Sequence, residues 1–367
     1  MLDSVTGALL QRGYDLLDKG LIPDFILRIV IRALCRQRLR ETDHGSVQAN
    51  FDAKMKWIED SRRRESIADV PQKANEQHYE VSTEFITSCL GPMAKYSSCL
   101  YPTGKESLAD AERLMMEMYC QKAKLQNGQY VLDLGCGWGS LSLYLAKKYP
   151  QSRIVGLSNS STQKAFIDAE AKIRGLSNVK IITADVNTFD FDADCERFDR
   201  VLSIEMFEHM KNYELLLRKI STWMKPSKAE DSDPALLFVH IFCHKTVTYD
   251  FEESDGWMAQ TFFSGGTMPS LDLFAYFQKD LTLVHSSYLP GTHYSRTLLA
   301  WLKLQDTRGS AGIADLEQDA EKKGLPREEG RKAWYRFRVF YIACAELFGM
   351  DHGQEWGVGH YVFQQKS

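Results

Sequence analysis

Apolar residues in the first third of the chain recur at helical spacing. Ile26, Leu27, Val30, Ile31 and Leu34 supply apolar faces, while Arg28, Arg32, Arg36 and Arg40 recur every four residues as one basic stripe. No strand-like alternation interrupts residues 1–125, so they are predicted to form a helical cap. A basic amphipathic helix can lie on a membrane. Packing on its own domain or on a second subunit, as in a homodimer, is the simpler expectation.

From residue 130 the pattern changes to short apolar runs separated by helical stretches. That alternation implies βα units on a parallel sheet. Strands are predicted at residues 130–134, 154–157, 179–182, 200–204, 236–242, 281–287 and 358–363, with helices over 140–148, 160–174 and 213–224. Residues 294–349 read as helical, within an insertion at about 288–350. The stretch 243–269 is irregular and holds Trp257, Phe262 and Phe263 beside the flexible pair Gly265-Gly266, which suits a lid or substrate wall. The expected fold is α/β: a Rossmann-like, mostly parallel seven-stranded sheet over residues 126–367, with helical lid insertions and the cap before it.

The first strand runs into Asp133-Leu134-Gly135-Cys136-Gly137-Trp138-Gly139-Ser140. Gly135 and Gly137 permit positive φ and let a ligand approach the main chain at a helix N-terminus. A dinucleotide fingerprint would place its third glycine where Ser140 stands, and would follow the second strand with an acid. Here that strand ends in Leu157-Ser158-Asn159-Ser160. D-x-G-x-G-x-G instead looks like the first motif of class I methyltransferases, which cradles S-adenosylmethionine. A dinucleotide turn and a purely structural turn are the alternatives. On the methyltransferase reading, Ser158 and Gln163 suit the ribose, Asp185 the adenine amino group and Val186 the ring face. Tyr96 and Ser97 suit the methionine carboxylate, and Asp133, Asn159 and Ser203 complete the candidate cofactor set. Asp185 also suits a simple turn cap.

The fourth strand ends in Ile204-Glu205-Met206-Phe207-Glu208-His209-Met210. Glu205 and Glu208 are three apart and share a face on a helical turn. An aliphatic amine is mostly protonated at neutral pH, with a pKa near ~10 as for lysine, and its cation has no lone pair to attack with. A carboxylate that binds the ammonium and a histidine that takes its proton would solve both problems. Glu205, Glu208 and His209 are therefore the candidate catalytic group. Aromatic rings would help hold the cation. Candidate pocket residues are Tyr79, Glu80, Phe242, Phe262, Tyr294, Tyr335 and Val339.

Composition removes other classes. Lys and Arg total 45 against 49 Asp and Glu, a net charge of −4, which argues against a protein that coats nucleic acid. The N-terminus lacks a basic stretch followed by an apolar core, and no apolar run reaches ~18 residues, so neither a secretory signal nor a membrane span is expected. No C-x-x-C pair occurs among the eight cysteines, and His240 and His244 sit at a strand end, so no metal is expected. A cytoplasmic location with free thiols is the simplest expectation.

Over residues 77–365 the chain resembles the plant alkaloid N-methyltransferases of the coclaurine, tetrahydroprotoberberine, pavine and phenylalkylamine types, and behind them the cyclopropane fatty acid synthases. The resemblance rests on the run from Ile204 through Glu205-Met206-Phe207-Glu208-His209 to Ile220, on Phe242-Cys243-His244-Lys245, on Gly265-Gly266-Thr267-Met268-Pro269 and on Ala345-Glu346-Leu347-Phe348-Gly349. It implies a class I methyltransferase fold, S-adenosylmethionine as cofactor, and Glu205, Glu208 and His209 as the catalytic group. It also implies that His240 and Tyr294 fall where the lipid synthases hold a bicarbonate ion. Those enzymes carry glycine at the place of Glu205 and cysteine at the place of Ser98. Cys344 matches a cysteine once proposed as catalytic, and reads here as a buried small apolar residue. The expected function is N-methylation of a small aromatic amine, with lipid cyclopropanation or O-methylation as the alternatives.

Overall fold

The computed structural model describes residues 12–68, 82–227, 233–252, 262 and 265–366. Tyr79, Glu80, Trp257 and Phe263 lie outside them. Helices α1 (Asp24–Thr42), α2 (Val47–Arg63), α3 (Thr83–Cys89) and α4 (Leu108–Lys122) precede the first strand. The α/β part then alternates β1 (Tyr130–Leu134), α5 (Ser140–Lys148), β2 (Arg153–Ser158), α6 (Ser161–Ile173), β3 (Val179–Thr183), β4 (Arg200–Ile204), α7 (Tyr213–Trp223) and β5 (Leu236–His244). The predicted strands are present, with β1 and β4 at the expected bounds and the others lengthened by one to four residues where hydrogen bonding outruns the apolar run.

The 7-stranded sheet has the order β3-β2-β1-β4-β5-β9-β8. β1 to β5 are parallel, and β9 (Trp356–Gln365) runs antiparallel to both β5 and β8 (Leu281–Pro290). Leu132, Leu134, Val201, Leu237 and Val239 are buried among α7 and its neighbours on one face. Val131, Leu202 and Phe238 are buried under α4 and α5 on the other. A sheet covered on both faces explains why its central strands read as unbroken apolar runs. Side chains cap the helix starts: Ser107 accepts from Asp110 N–H, Ser160 from Gln163 and Asn212 from Leu215. Such caps contribute ~1 kcal/mol each.

One expectation needs correction and another is resolved more finely. The stretch 243–269 contains a small ladder, β6 (Tyr249–Asp250) with β7 (Thr267–Met268). Lys211, 3% exposed, pins it by donating to Asp250 at 2.6 Å, Thr267 Oγ1 at 2.9 Å and the Gly266 carbonyl at 3.1 Å. The helical stretch after β8 is three helices, α8 (Thr292–Thr307), α9 (Gly309–Lys322) and α10 (Arg327–Gly349).

The basic stripe of α1 is used inside the molecule. Arg28 and Arg32 both pair with Glu346 on α10, and Arg338 of α10 bonds Asp24 at 2.5 and 2.9 Å. Arg36 and Arg40 remain in solvent. Among the described residues no helix is long and apolar enough to cross a membrane.

Candidate functional site

The carboxyl ends of β1 to β4 open onto a narrow cleft of two adjoining hollows, about 80 and 40 Å3, that share Gly135, Gly137 and Glu205. Ser158, Asn159, Gln163, Asp185 and Val186 line the first. Lys95, Tyr96, Ser97, Asp133, Trp138 and Ser140 line the second. Ser158 donates to Gln163 Oε1 at 2.7 Å, which turns the Gln163 amide so that its buried Nε2 has no partner among the described residues. Gly137 holds φ +50°, and a Cβ there would meet no atom of the described residues within 4 Å, so it would project into the open cleft. An orphaned donor and a side-chain-free cradle fit an adenosyl group lying over the turn.

Three cofactor candidates have structural work as well. Asp133 accepts from Ser142 Oγ at 2.6 Å, and burial pushes its carboxyl up to about 6. Asp185 caps Asn187 N–H at 2.8 Å while still facing the cleft. Ser203 is a correction: its hydroxyl donates to the Leu134 carbonyl at 2.9 Å behind the turn, and it does not line the cleft.

Glu205 ends β4 with φ +49°, in the left-handed region that favours glycine. Its N–H donates to the His240 carbonyl at 2.8 Å. The turn aims the carboxylate at three donors. Oε1 accepts from Ser98 N–H at 2.9 Å and meets His240 Nε2 at 2.9 Å, and Oε2 accepts from Tyr294 OH. Burial pushes the carboxyl above its usual range, while Lys95, Ser98 N–H, Tyr294 and His209 pull it down. Lys95 is fully buried, donates to the Ser98 carbonyl at 2.7 Å and to Ser97 Oγ, and is held below the ordinary lysine range by desolvation.

The next residues form a single 3-10 turn, Phe207–His209. Glu208 is 4% exposed, and burial, then the charge of Glu205, raise its carboxyl well above the usual range. Its Oε2 has no hydrogen-bond partner among the described residues. Glu205 and His209 belong to the cleft and also to a cavity of about 360 Å3 beside it. One wall of that cavity is α1, through Ile31, Leu34, Cys35, Gln37, Arg38 and Glu41. A second is α10, through Phe340, Ala343, Cys344, Leu347 and Phe348. Tyr96, Glu208, Phe242, Tyr249, Phe251, Met268, Tyr294, Leu298 and Trp301 close the rest, with Tyr294 stacked on Phe348 at 4.5 Å. An aromatic box with carboxyl groups and an imidazole at one end can hold an organic cation against the cleft.

Residues 68–324 match the family described as mycolic acid cyclopropane synthetase. The chain is 38% identical over 355 residues to (S)-coclaurine N-methyltransferase of Thalictrum flavum subsp. glaucum, covering 95% of this chain and 94% of that one. It is 36% identical over 296 residues to (S)-tetrahydroprotoberberine N-methyltransferase of Eschscholzia californica, covering 80% and 81%. A solved structure of coclaurine N-methyltransferase, bound to N-methylheliamine and S-adenosylhomocysteine, superposes with a TM-score of 0.85 at 34% identity, covering 98% of this chain and 99% of that chain. The chain belongs to the cyclopropane synthetase family, in its plant alkaloid N-methyltransferase branch. It is an S-adenosylmethionine-dependent methyltransferase.

In this methyltransferase the structure brings some of the expected pocket residues together and not others. Phe242 and Tyr294 line the cavity. Phe262 stands behind it, stacked on Phe340 at 4.5 Å. Val339 is buried in the helical core, and the neighbouring Phe340 faces the cavity instead. Tyr335 covers Gly20, where a Cβ would lie 2.0 Å from its ring, and is not a pocket residue. Tyr79 and Glu80 lie outside the described residues. Cys344 is buried as expected, with its thiol pushed well up by burial, yet it does touch the cavity. The α1 wall was missed. Its signal is the spacing Ile31, Leu34, Cys35, Arg38, a second stripe beside the arginines.

Proposed function

We propose that the protein methylates the nitrogen of a small aromatic amine, of phenylalkylamine or tetrahydroisoquinoline type. The observation that carries this is the position of Glu205 and His209, shared by an aromatic cavity and the cofactor cleft. When bound, S-adenosylmethionine supplies a methyl group already activated on a sulfonium. Gly135, Gly137, Ser158, Asn159, Gln163, Asp185, Val186, Tyr96 and Ser97 would hold it.

Each carboxylate oxygen accepts about two hydrogen bonds. Among the described residues two neighbours fill Oε1 of Glu205, and Tyr294 leaves one position open on Oε2. That position pairs with the substrate ammonium, and the cavity's rings surround it. His209 takes the ammonium proton, which frees the lone pair to attack the methyl carbon as the sulfur–methyl bond breaks. Glu208, kept protonated by burial, adds no second negative charge. In the lipid synthases the resemblance places a bicarbonate ion where this chain brings a tethered carboxylate. A lipid alkene offers that carboxylate no cation, which favours the amine.

The helical cap over residues 1–125, the cofactor-binding unit over 126–367 and a cytosolic setting belong to the same proposal. Unpaired thiols support the last. A homodimer is proposed on the exposed Phe25, Ile29 and Leu34 of α1, and sedimentation tests it. The function is tested with a radiolabelled methyl donor offered to phenylalkylamines, tetrahydroisoquinolines and unsaturated phospholipid. Label in an amine is expected; label in phospholipid alone sinks the proposal. On the best amine, Glu205→Gln should weaken transition-state binding by ~1–3 kcal/mol, read as a drop in kcat/KM. A kcat/KM within about twofold of wild type would make Glu205 a bystander.

A further inference from the structure

The Glu205 carboxylate is one end of a hydrogen-bonded chain that crosses the sheet. His240 Nε2 is 2.9 Å from Glu205 Oε1, His240 Nδ1 is 2.8 Å from His360 Nε2, and His360 Nδ1 is 2.7 Å from Lys122 Nζ. Lys122 also donates to Ser287 Oγ at 2.6 Å. The strand register produces this alignment. His240 faces His360 across β5 and β9, and His360 faces Ser287 across β9 and β8. Directly opposed residues project from the same face. Helix α4 lays Tyr119 and Lys122 over that face, with the Tyr119 hydroxyl 3.1 Å from His240 Nδ1.

The charges around the chain decide its protons. His240 and His360 are both fully buried. Burial, with Lys95 and Lys122 nearby, holds His240 well below the ordinary histidine range. Burial, then His240, Lys122, Lys95 and His285, do the same to His360. Each ring is therefore neutral, with one N–H and one acceptor nitrogen. A lysine ammonium can only donate. Donation by Lys122 makes His360 Nδ1 an acceptor and leaves the His360 proton on Nε2. That proton points at His240 Nδ1, so the His240 proton sits on Nε2 and points at Glu205. The Tyr119 hydroxyl, 3.1 Å away, can likewise donate only to a His240 Nδ1 that carries no proton, so it agrees with that direction while sharing the nitrogen's single lone pair.

We infer that Lys122 is a remote positioning residue: acting through His360 and His240, it fixes the tautomer that presents an N–H to Glu205. The inference rests on Glu205 working as the ionised partner of the amine. Losing that donor raises the Glu205 pKa, so the acid limb of kcat/KM moves to higher pH. Burial lowers Lys122 to about 8, so the constraint also loosens when the pH passes that value. Other titratable groups near Glu205 are Lys95, Glu208, His209 and Tyr294, and the Tyr119 phenol stays protonated through this range.

The test is side-chain 15N NMR of the two histidines, assigned with His240→Asn and His360→Asn, on the intact protein. At pH 7 both wild-type rings should carry the proton on Nε2. Lys122→Met should lose that pattern, and Lys122→Arg should keep it. Wild type taken to pH 9.5 should lose it without any mutation, which covers a Lys122→Met protein that fails to fold. Kinetics on the best amine should show the acid limb of kcat/KM displaced upward in Lys122→Met, with kcat/KM at pH 7 down about tenfold, and restored in Lys122→Arg. An Nδ1–H proton on either wild-type ring overturns the inference. So does a pattern that Lys122→Met and pH 9.5 both leave unchanged. Altered tautomers with an unmoved acid limb overturn the link to Glu205. The NMR readout needs no substrate, so a failure of the amine assignment is seen separately.

Discussion

The cofactor cleft and the aromatic cavity meet at Tyr96, Glu205 and His209 but are assembled in opposite ways. The cleft takes its walls from short runs that follow consecutive strands, around residues 133–140, 158–163 and 184–186, with 95–97 closing over them. The cavity takes its walls from α1 and α10, which are about 300 residues apart in the chain and joined by ion pairs to Glu346 and Asp24. A wall built on loop backbone is fixed by the sheet beneath it. A wall built from the mutual packing of two helices can change shape without disturbing the donor site. Chemistry and substrate choice are thereby separable in this fold.

The largest way to break the contrast is Gly137→Val, confined to the cleft. Its side chain fills the cradle at a positive φ, so calorimetry with S-adenosylhomocysteine should show no binding to the folded variant. Affinity within a few-fold of wild type would remove the glycine turn from the cofactor site. Next comes His209→Ala, at the junction. Turnover should fall ~100-fold or more with cofactor affinity intact. The wild-type rate should rise with pH until the substrate amine itself deprotonates, and a flat profile from pH 6 to 9 would exclude proton removal from the limiting step.

A smaller effect is expected from Glu346→Gln, which touches the cavity wall alone. Arg28 and Arg32 lose their shared partner, so the KM for amine should rise by a few-fold, ~1 kcal/mol or less, with kcat and cofactor affinity unchanged. Wild type in high salt should drift the same way. An unmoved KM would mean that other contacts hold α1. The smallest effect concerns Glu208. A carboxyl raised by burial contributes stability that is complete below the ordinary carboxylate range and is lost as pH climbs through its raised value. Glu208→Gln removes that titration, so its Tm should gain on wild type by a few °C, on the order of 1 kcal/mol, between pH 5 and 9. A constant difference across that range would show that Glu208 is not buried as a neutral acid.

The same contrast explains what the sequence made legible. The sheet could be read because strands covered on both faces are short apolar runs, and the cleft because its residues follow those runs at fixed offsets. Ser203 misled because its hydroxyl folds back on Leu134. The cavity could not be read by composition. On a helix, neighbours 339 and 340 point about 100° apart, so an aromatic wall is lost or gained by one position. Tyr335, for all its bulk, covers Gly20. Lys95 escaped notice because lysine is almost never fully buried without a partner, and only the fold supplies Ser97, Ser98 and Glu205 around it.

Glu205 holds its left-handed backbone at a cost of about 1–2 kcal/mol, a cost that glycine avoids. Its carboxylate lies among Ser98 N–H, His240 and Tyr294 as a covalently attached anion. An attached anion cannot dissociate, and its local concentration owes nothing to the medium. Glutamate and glycine codons differ at one base. A single transition would therefore exchange the fixed anion for an empty, relaxed anion hole lined by Ser98 N–H, His240 and Tyr294.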